Sequence, residues 1–182
     1  SFTNPKVRSW WADKQKFLID MGVRGVWNDM NEPASFKGPL PDDVQFADED
    51  DTAILHKDAH NIYGHCMAMA TKDGWLKYDG RRPFIITRAA YAGTQRYSMF
   101  WTGDNQSIWA HLQMAIPQLC NLGLSGFSYA GTDVGGFGAD TTKELLARWV
   151  QVGCLSPFFR NHSAQGTRRQ EPWQFDKELL EI

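Results

Sequence analysis

Two short segments of the chain join carboxylates to a tryptophan, which limits the chemistry they can perform. Residues 27–33 read WNDMNEP and residues 101–105 read WTGDN, so each has an aspartate two or three positions after a Trp. A pair of carboxylates can cleave a glycosidic bond, one as nucleophile and one as proton donor, while an aromatic face holds the sugar. Grouped carboxylates can also bind a divalent metal ion. In the first segment, both Asp29 and Glu32 are candidates for the working carboxylate.

Four segments have the apolar periodicity or the capping signals of helices. The first two cover residues 7–21 and 52–71. A third helix is expected to begin after Ser107 as its N-cap, and a fourth after a capping box formed by Thr141 and Glu144. These helices are the elements that must connect the strands carrying the polar residues.

Short apolar runs alternate with the helices and are typical of buried strands. In chain order they cover residues 25–29, 84–87, 98–102, 125–130 and 155–159. Residues 37–51, which hold two prolines and an acidic run, predict an exposed loop instead. Strands that alternate with helices favour a parallel sheet with right-handed crossovers, so the sequence predicts an α/β fold.

A polar residue lies at or near the C-terminal end of every predicted strand, which favours a barrel over an open sheet. These residues are Asp29, Arg88, Asp104, Asp133 and His162. In a (β/α)8 barrel such residues surround one pocket, whereas a doubly wound sheet binds its ligand at a single switch point. Because a closed barrel has eight strands, we predict a TIM-barrel fragment of about five βα units, the fourth to the eighth strand. Residues 1–182 would then form the C-terminal part of a catalytic barrel, with no second domain.

Charge and composition argue against several kinds of partner. The formal charge is -2, from 19 Lys+Arg and 21 Asp+Glu, so we expect neither a nucleic-acid nor a membrane partner. No apolar run approaches the roughly 20 residues of a membrane span. The 3 cysteines are widely spaced and lack a C-x-x-C pair, which favours neither disulfides nor a zinc site and leads us to expect a cytoplasmic location. We expect no metal and no cofactor.

Four motifs together resemble the successive signatures of glycoside hydrolase family 31. They are WNDMNEP at residues 27–33, WTGD at 101–104, GTDVGGF at 131–137 and FFRNH at 158–162. They follow the family's order and extend over nearly the whole chain. The resemblance implies a retaining α-glycosidase that works without a cofactor, through a covalent glycosyl-enzyme.

The resemblance also implies a role for individual residues. Asp29 becomes the nucleophile and Asp104 the general acid/base, and we expect their carboxyl groups about 5 to 6 Å apart. Glu32 then becomes a hydrogen-bonding neighbour of the nucleophile. The residues implied to bind sugar hydroxyls are Arg88, Asp133 and His162. Those implied to form the apolar wall of the subsite are Trp27, Met30, Trp101 and Phe137.

Structural alternatives exist for each of these roles. Arg88 can be a structural ion-pair partner, Asp133 can shape a Gly-rich turn, and His162 can be a hydrogen-bonded loop histidine. The four apolar residues can all belong to the core.

For the chain as a whole, the leading hypothesis is hydrolysis of terminal α-linked glucose. The alternatives are an α-xylosidase or transglycosylase of the same family, and a noncatalytic carbohydrate-binding protein. The expected partners are an oligosaccharide or glycoside substrate and the remaining segments of a larger polypeptide.

Overall fold

The structure, a computed structural model, describes the backbone of residues 1–182 and every side chain except that of Asp51. The chain forms two compact units, Ser1–Phe100 and Trp101–Ile182. None of the helices in the described part of the chain is long and apolar enough to cross a bilayer.

The first unit contains two long helices and a parallel sheet. In chain order its elements are α1 (Pro5–Asp20), β1 (Gly25–Asn28), β2 (Gln45–Ala47), β3 (Ala53–Leu55), α2 (His56–Tyr78), β4 (Phe84–Thr87) and the start of β5 (Met99–Trp101). β1 pairs in parallel with β4, and β4 pairs in parallel with β5. The predicted parallel α/β arrangement is therefore confirmed within this unit. α1 packs along α2, where the Trp11 indole N–H donates to the Thr71 hydroxyl at 2.8 Å.

The start of α1 is set by its capping residues rather than by its apolar periodicity. The Asn4 side chain accepts a hydrogen bond from the Lys6 amide at 2.8 Å, and Pro5 occupies the first helical position. A side-chain acceptor before the helix and a proline at its first position are both favourable for helix initiation. α1 therefore begins two residues before the predicted Val7.

The predicted exposed loop over residues 37–51 is wrong at residues 45–47, which form the first strand of an antiparallel hairpin, whereas Glu49 and Asp50 are exposed as predicted. β2 pairs with β3 so that Phe46 lies opposite Ile54. The Phe46 ring contacts the rings of His56 and Tyr63, with centroid distances of 5.6 and 5.7 Å. These aromatic contacts cover the hairpin, and α2 consequently starts at His56 rather than at the predicted Thr52.

The second unit repeats the strand-and-helix pattern. After the end of β5 it contains α3 (Trp109–Leu124), β6 (Ala130–Val134), α4 (Lys143–Cys154), β7 (Phe158–Asn161) and α5 (Lys177–Glu181). β6 and β7 are parallel and paired in register from Gly131 opposite Phe158 to Val134 opposite Asn161. One hydrophobic cluster of this unit contains Leu112, Ala115, Val134, Leu145 and Trp149, and a second contains Leu146, Ala147 and Leu179.

Two strand predictions in this unit are displaced along the sequence. The strand expected over residues 125–130 instead covers Ala130–Val134, because α3 extends to Leu124 and is followed by a turn. In that turn the Phe127 amide donates to the Leu122 carbonyl at 2.9 Å, and Gly126 has a φ of 85°. β7 begins at Phe158 rather than at Leu155, which is 91% exposed.

The two predicted helix caps of this unit are also wrong. Ile108 is the N-cap of α3, and the hydroxyl of Ser107 donates to the Gly135 carbonyl at 2.7 Å instead. Thr142 rather than Thr141 caps α4, since its hydroxyl accepts from the Leu145 amide at 3.3 Å. The Ser107 hydroxyl bonds to a carbonyl of a distant loop, a partner that is not encoded locally, whereas the Thr141 hydroxyl bonds to the carbonyl of the adjacent Thr142.

Candidate active site

The C-terminal ends of β1 and β4 bring Asp29, Glu32 and Arg88 together. The register pairs Asn28 with Thr87, so the residues that follow them, Asp29 and Arg88, leave the sheet side by side. Arg88 Nε lies 2.7 Å from Glu32 Oε1, and Arg88 Nη1 lies 3.6 Å from Asp29 Oδ1. One guanidinium therefore contacts both carboxylates of the WNDMNEP segment.

The two oxygens of Asp29 have different surroundings. Oδ1 is buried and has no hydrogen-bond partner among the described residues, although the guanidinium of Arg88 lies near it. The Asp29 side chain as a whole is 31% exposed, so its exposed surface lies on its other atoms. The arrangement thus directs Oδ1 toward Arg88 and leaves part of the Asp29 side chain accessible to a bound molecule.

A buried amide links the loops that carry Asp29 and Arg88. Asn31 is 2% exposed; its Nδ2 donates to the Thr87 hydroxyl at 2.9 Å, and its Oδ1 accepts from the Ala89 amide at 3.0 Å. α2 approaches this link at Gly64, where a Cβ would lie 2.5 Å from the Cβ of Ala89 and 2.8 Å from the Asn31 carbonyl oxygen. At Gly64, α2 therefore packs directly against the loops that carry Asp29 and Arg88.

Two of the predicted apolar wall residues are exposed rather than part of the core. Trp27 and Met30 are each 43% exposed. Side chains alternate along a strand, and Asn28 bonds to Thr71 of α2, so Trp27 extends from the opposite face of β1. Met30 has a φ of 57°, a conformation that non-glycine residues adopt infrequently and mostly near functional sites.

In the second unit, adjacent strands pair Asp133 with Arg160. The two residues are in register on β6 and β7, and Asp133 Oδ1 lies 2.6 Å from Nη2 and 3.2 Å from Nε of Arg160. Asp133 is fully buried, and the guanidinium of Arg160 lies 4.9 Å from the centroid of the Trp101 ring. Asp133 lies near the end of β6, and its backbone carbonyl also accepts from the Gly136 amide at 3.0 Å, at the start of the following turn.

The sequence interpretation did not single out Arg160 as a functional residue. The available signal was a basic side chain inside the apolar FFRNH segment, which requires a buried partner. Asn31 and Gln170, whose buried amides link loops of the site, were missed as well. Amides have no charge pattern that would mark them in a sequence.

The loops that follow β6 and β7 bring Phe137 and His162 together. Their ring centroids are 5.2 Å apart, and both side chains are half-buried. Gln170 is 3% exposed, and its Nε2 donates to the carbonyls of Gly136 at 3.2 Å and His162 at 3.3 Å. The buried amide of Gln170 thus links the loops after β6 and β7 and fixes the position of His162.

Asp104 lies in the loop between β5 and α3 and is exposed. It lines a cavity of about 130 Å³ together with His111, Gln118 and Thr132. The neighbouring Asn105 is buried; its Nδ2 donates to the Asp133 carbonyl at 3.2 Å, and its Oδ1 accepts from the Phe137 amide at 3.1 Å. Asn105 therefore ties the loop of Asp104 to the loop after β6.

The described residues contain no cluster of three or more His, Cys, Asp or Glu that could hold a metal ion. Within the first unit the structure brings together Asp29, Arg88 and Glu32. Within the second unit it brings together two groups, Trp101 with Asp133 and Phe137 with His162.

Comparison with known proteins identifies the family. The whole chain, residues 1–182, matches the TIM-barrel domain of glycosyl hydrolases family 31. "Alpha-glucosidase 2" of Bacillus thermoamyloliquefaciens is 52% identical over 183 residues, which cover 100% of this chain and 23% of that protein. "Neutral alpha-glucosidase AB" of Sus scrofa is 47% identical over 181 residues, which cover 94% of this chain and 19% of the relative.

Solved structures give the same result. The family 31 α-glucosidase from Bacteroides thetaiotaomicron superposes with a TM-score of 0.84 at 40% identity, over 100% of this chain and 29% of that one. The chain thus spans only about a fifth to three tenths of the length of these relatives. Because the match to the TIM-barrel domain extends over all 182 residues, the chain belongs to glycosyl hydrolases family 31.

Proposed function

We propose that this chain provides the catalytic carboxylates of a retaining α-glucosidase that removes terminal α-linked glucose from oligosaccharides. The observation that carries the proposal is the arrangement around Asp29, whose Oδ1 is buried toward Arg88 while the side chain as a whole is 31% exposed. A nucleophilic carboxylate needs a fixed orientation, because attack on the anomeric carbon requires close approach along one direction. The names of the relatives, which are α-glucosidases, support glucose as the sugar.

In the proposed reaction, Asp29 attacks the anomeric carbon while Asp104 protonates the departing glycosidic oxygen. Asp104 then removes a proton from the water that hydrolyses the glycosyl-enzyme. The exposure of Asp104 and its position on a cavity wall suit a group that must exchange protons with substrate and water. Retention of configuration requires the two carboxyl groups to lie about 5 to 5.5 Å apart, which we propose for the substrate-bound enzyme.

We propose that the sugar is bound by polar and apolar groups around these carboxylates. The polar residues of the proposed subsite are Arg88, Asp133 and His162, and its apolar residues are Trp27, Met30, Trp101 and Phe137. The exposure of Trp27 and Met30 supports their part, since exposed apolar surface next to polar groups is typical of sugar sites. Asp133 and Trp101 are buried against Arg160, so we add Arg160 to the proposed subsite.

We also propose that β1, β4, β5, β6 and β7 are the fourth to eighth strands of the barrel. The greater length of the relatives supports this numbering, since other segments of such a polypeptide can supply the earlier strands. Catalytic groups would then extend from the C-terminal strand ends, as in other TIM barrels.

Trapping the glycosyl-enzyme tests the proposal. The full-length polypeptide would be incubated with 5-fluoro-α-glucosyl fluoride, digested and analysed by mass spectrometry. We expect one fluoroglucosyl adduct on the peptide containing Asp29, and none in the Asp29→Asn variant. An adduct on Glu32 would overturn the nucleophile assignment. Sugar binding without any adduct would instead identify a noncatalytic carbohydrate-binding protein.

A further inference from the structure

The loop that carries Asp104 is fixed mainly by backbone hydrogen bonds. The Asn105 amide donates to the Gly103 carbonyl at 3.0 Å, and the Ser107 amide donates to the Gly138 carbonyl at 2.7 Å. The Gln106 amide differs, because it donates to a side chain, Nδ1 of His111, at 2.7 Å. One ring nitrogen of His111 therefore holds the backbone amide that lies two residues after Asp104.

His111 occupies the third position of α3, where an acceptor side chain has a known structural use. In a capping box, the residue at this position accepts a hydrogen bond from the amide of the N-cap residue. Here the N-cap is Ile108, and His111 accepts instead from the amide of Gln106, two residues before it, so the bond ties the loop to the first turn of α3. Since Nδ1 accepts, the neutral imidazole carries its proton on Nε2.

His111 and Asp104 also share a wall of the same cavity of about 130 Å³. We propose that His111 is a positioning residue for Asp104: it holds the Gln106 amide and thereby fixes the direction in which the Asp104 carboxyl faces the glycosidic oxygen. This inference rests on the proposed acid/base role of Asp104. His111 acts on the protonation of the leaving group and takes no part in nucleophilic attack.

The effect of losing the Nδ1 acceptor follows from the geometry of proton transfer. Without it the Gln106 amide has to turn toward water, and the adjacent loop residues move with it. A displacement of about 1 Å at a catalytic group can cost on the order of a hundredfold in rate. In kcat/KM, which reports the glycosylation step, that loss should be confined to substrates that need protonation, because a good leaving group departs without it.

Two matched variants in the full-length polypeptide distinguish the effect of the hydrogen bond from the effect of the side chain's bulk. In His111→Asn, the side-chain Oδ1 takes nearly the position of Nδ1 and can accept from Gln106, whereas His111→Leu has similar bulk and no acceptor. We expect His111→Leu to lower kcat/KM, which reports the glycosylation step, by roughly 10- to 100-fold on an alkyl α-glucoside, but by less than about threefold on an activated aryl α-glucoside. His111→Asn should keep the wild-type ratio of the two rates.

The ratio of rates on two substrates does not depend on how much of a variant folds, so a folding defect cannot imitate the result. An equal loss on both substrates in His111→Leu, or the same altered ratio in His111→Asn, would overturn the inference. A double variant tests whether His111 acts through Asp104. Because Asp104→Ala already lacks the acid, adding His111→Leu should not alter the ratio of the two rates further. If Asp104→Ala itself shows no dependence on the leaving group, the acid/base assignment fails, separately from the role of His111.

Discussion

Two arginines, one in each unit, are in contrasting environments. Arg88 is 30% exposed and contacts two carboxylates that are themselves about a third exposed. Arg160 is 19% exposed and contacts Asp133, which is fully buried. Water can screen the first group of charges but is excluded from Asp133. Arg88 is therefore suited to exchanging partners with a substrate, whereas Arg160 is also needed to stabilise a buried charge.

The roles of the two catalytic candidates can be separated by mutation. Asp104→Ala should lose less kcat/KM on an activated aryl α-glucoside than on a poor leaving group, whereas Asp29→Ala should lose activity on both. Azide should restore turnover in each variant, with a product of retained configuration from Asp104→Ala and of inverted configuration from Asp29→Ala. Nuclear magnetic resonance of the product measures the configuration. The opposite pattern would exchange the two assignments.

Removal of Arg160 should destabilise the protein through the buried carboxylate of Asp133. We expect Arg160→Met to lower the free energy of unfolding by about 3 kcal/mol, because breaking a buried ion pair leaves an uncompensated charge. Arg148→Met on the exposed face of α4 is the matched control and should change stability by less than about 0.5 kcal/mol. Urea unfolding measures both. Equal stability of the two variants would mean that Asp133 does not depend on Arg160.

At the residue scale, the sequence predicts which side chains follow the strands but not which ones pair. Asp29 and Arg88 can be predicted because each lies at the C-terminal end of a predicted strand. The contact of Asp133 with Arg160 depends on the register of β6 against β7, which is set by the path of α4 between them. A sequence pattern contains no measure of that register.

Among the elements, α2 has the most direct effect on the first half of the site. It approaches the loops of Asn31 and Ala89 through Gly64, where there is no room for a side chain. Helical glycines are otherwise unfavourable, so this one is explained by close packing rather than by helix formation. Gly123 near the end of α3 is also helical but has open space around it.

These two glycines form a matched pair for mutation. Gly64→Ala should lower the free energy of unfolding by about 1 to 3 kcal/mol, because the added methyl group overlaps atoms of the loops that carry Asp29 and Arg88. Gly123→Ala should raise it by up to about 1 kcal/mol, through better helix propensity without a clash. Thermal or urea unfolding measures whether each substitution lowers or raises the free energy of unfolding. A stabilising Gly64→Ala would show that α2 does not touch the site loops.

The accuracy of the strand predictions follows from composition. β4 was predicted with its observed bounds because Phe84, Ile85 and Ile86 form a run with high strand propensity. β6 was misplaced because its residues, AGTDV, have little such propensity, although all five are buried. Burial on both faces of a parallel sheet comes from the covering helices, and local sequence does not report it.

At the scale of the whole molecule, the alternation of strands and helices was sufficient to predict the fold class. Parallel pairing is observed in each unit, and the family match supports the TIM-barrel domain.

β1 is an edge strand in the first unit and β7 in the second. Clefts of about 480 Å³ beside β1 and about 560 Å³ beside β7 have apolar lining residues that include Trp11, Val26 and Phe159. Such edges are stable when other segments cover them.

The uncovered edges lead to a prediction for residues 1–182 expressed alone. We expect little or no glucosidase activity from this segment, even though it contains both proposed catalytic carboxylates. A barrel with fewer than eight strands does not close, so water would enter the pocket and weaken the electrostatic stabilisation of the transition state. Sugar contacts from the missing strands would also be absent, and loss of positioning by about 1 Å alone can cost a hundredfold in rate.

Comparison of two purified proteins tests this expectation. Turnover of an activated aryl α-glucoside would be measured for residues 1–182 and for the full-length polypeptide at equal concentration, with light scattering to establish that each is monodisperse. An activated substrate needs little help from the general acid, so a remaining difference reports the sugar contacts and the closed pocket rather than the protonation step. We expect activity only from the longer protein. Comparable turnover by a monodisperse shorter protein would mean that residues 1–182 are a complete catalytic unit and that the proposed strand numbering is wrong.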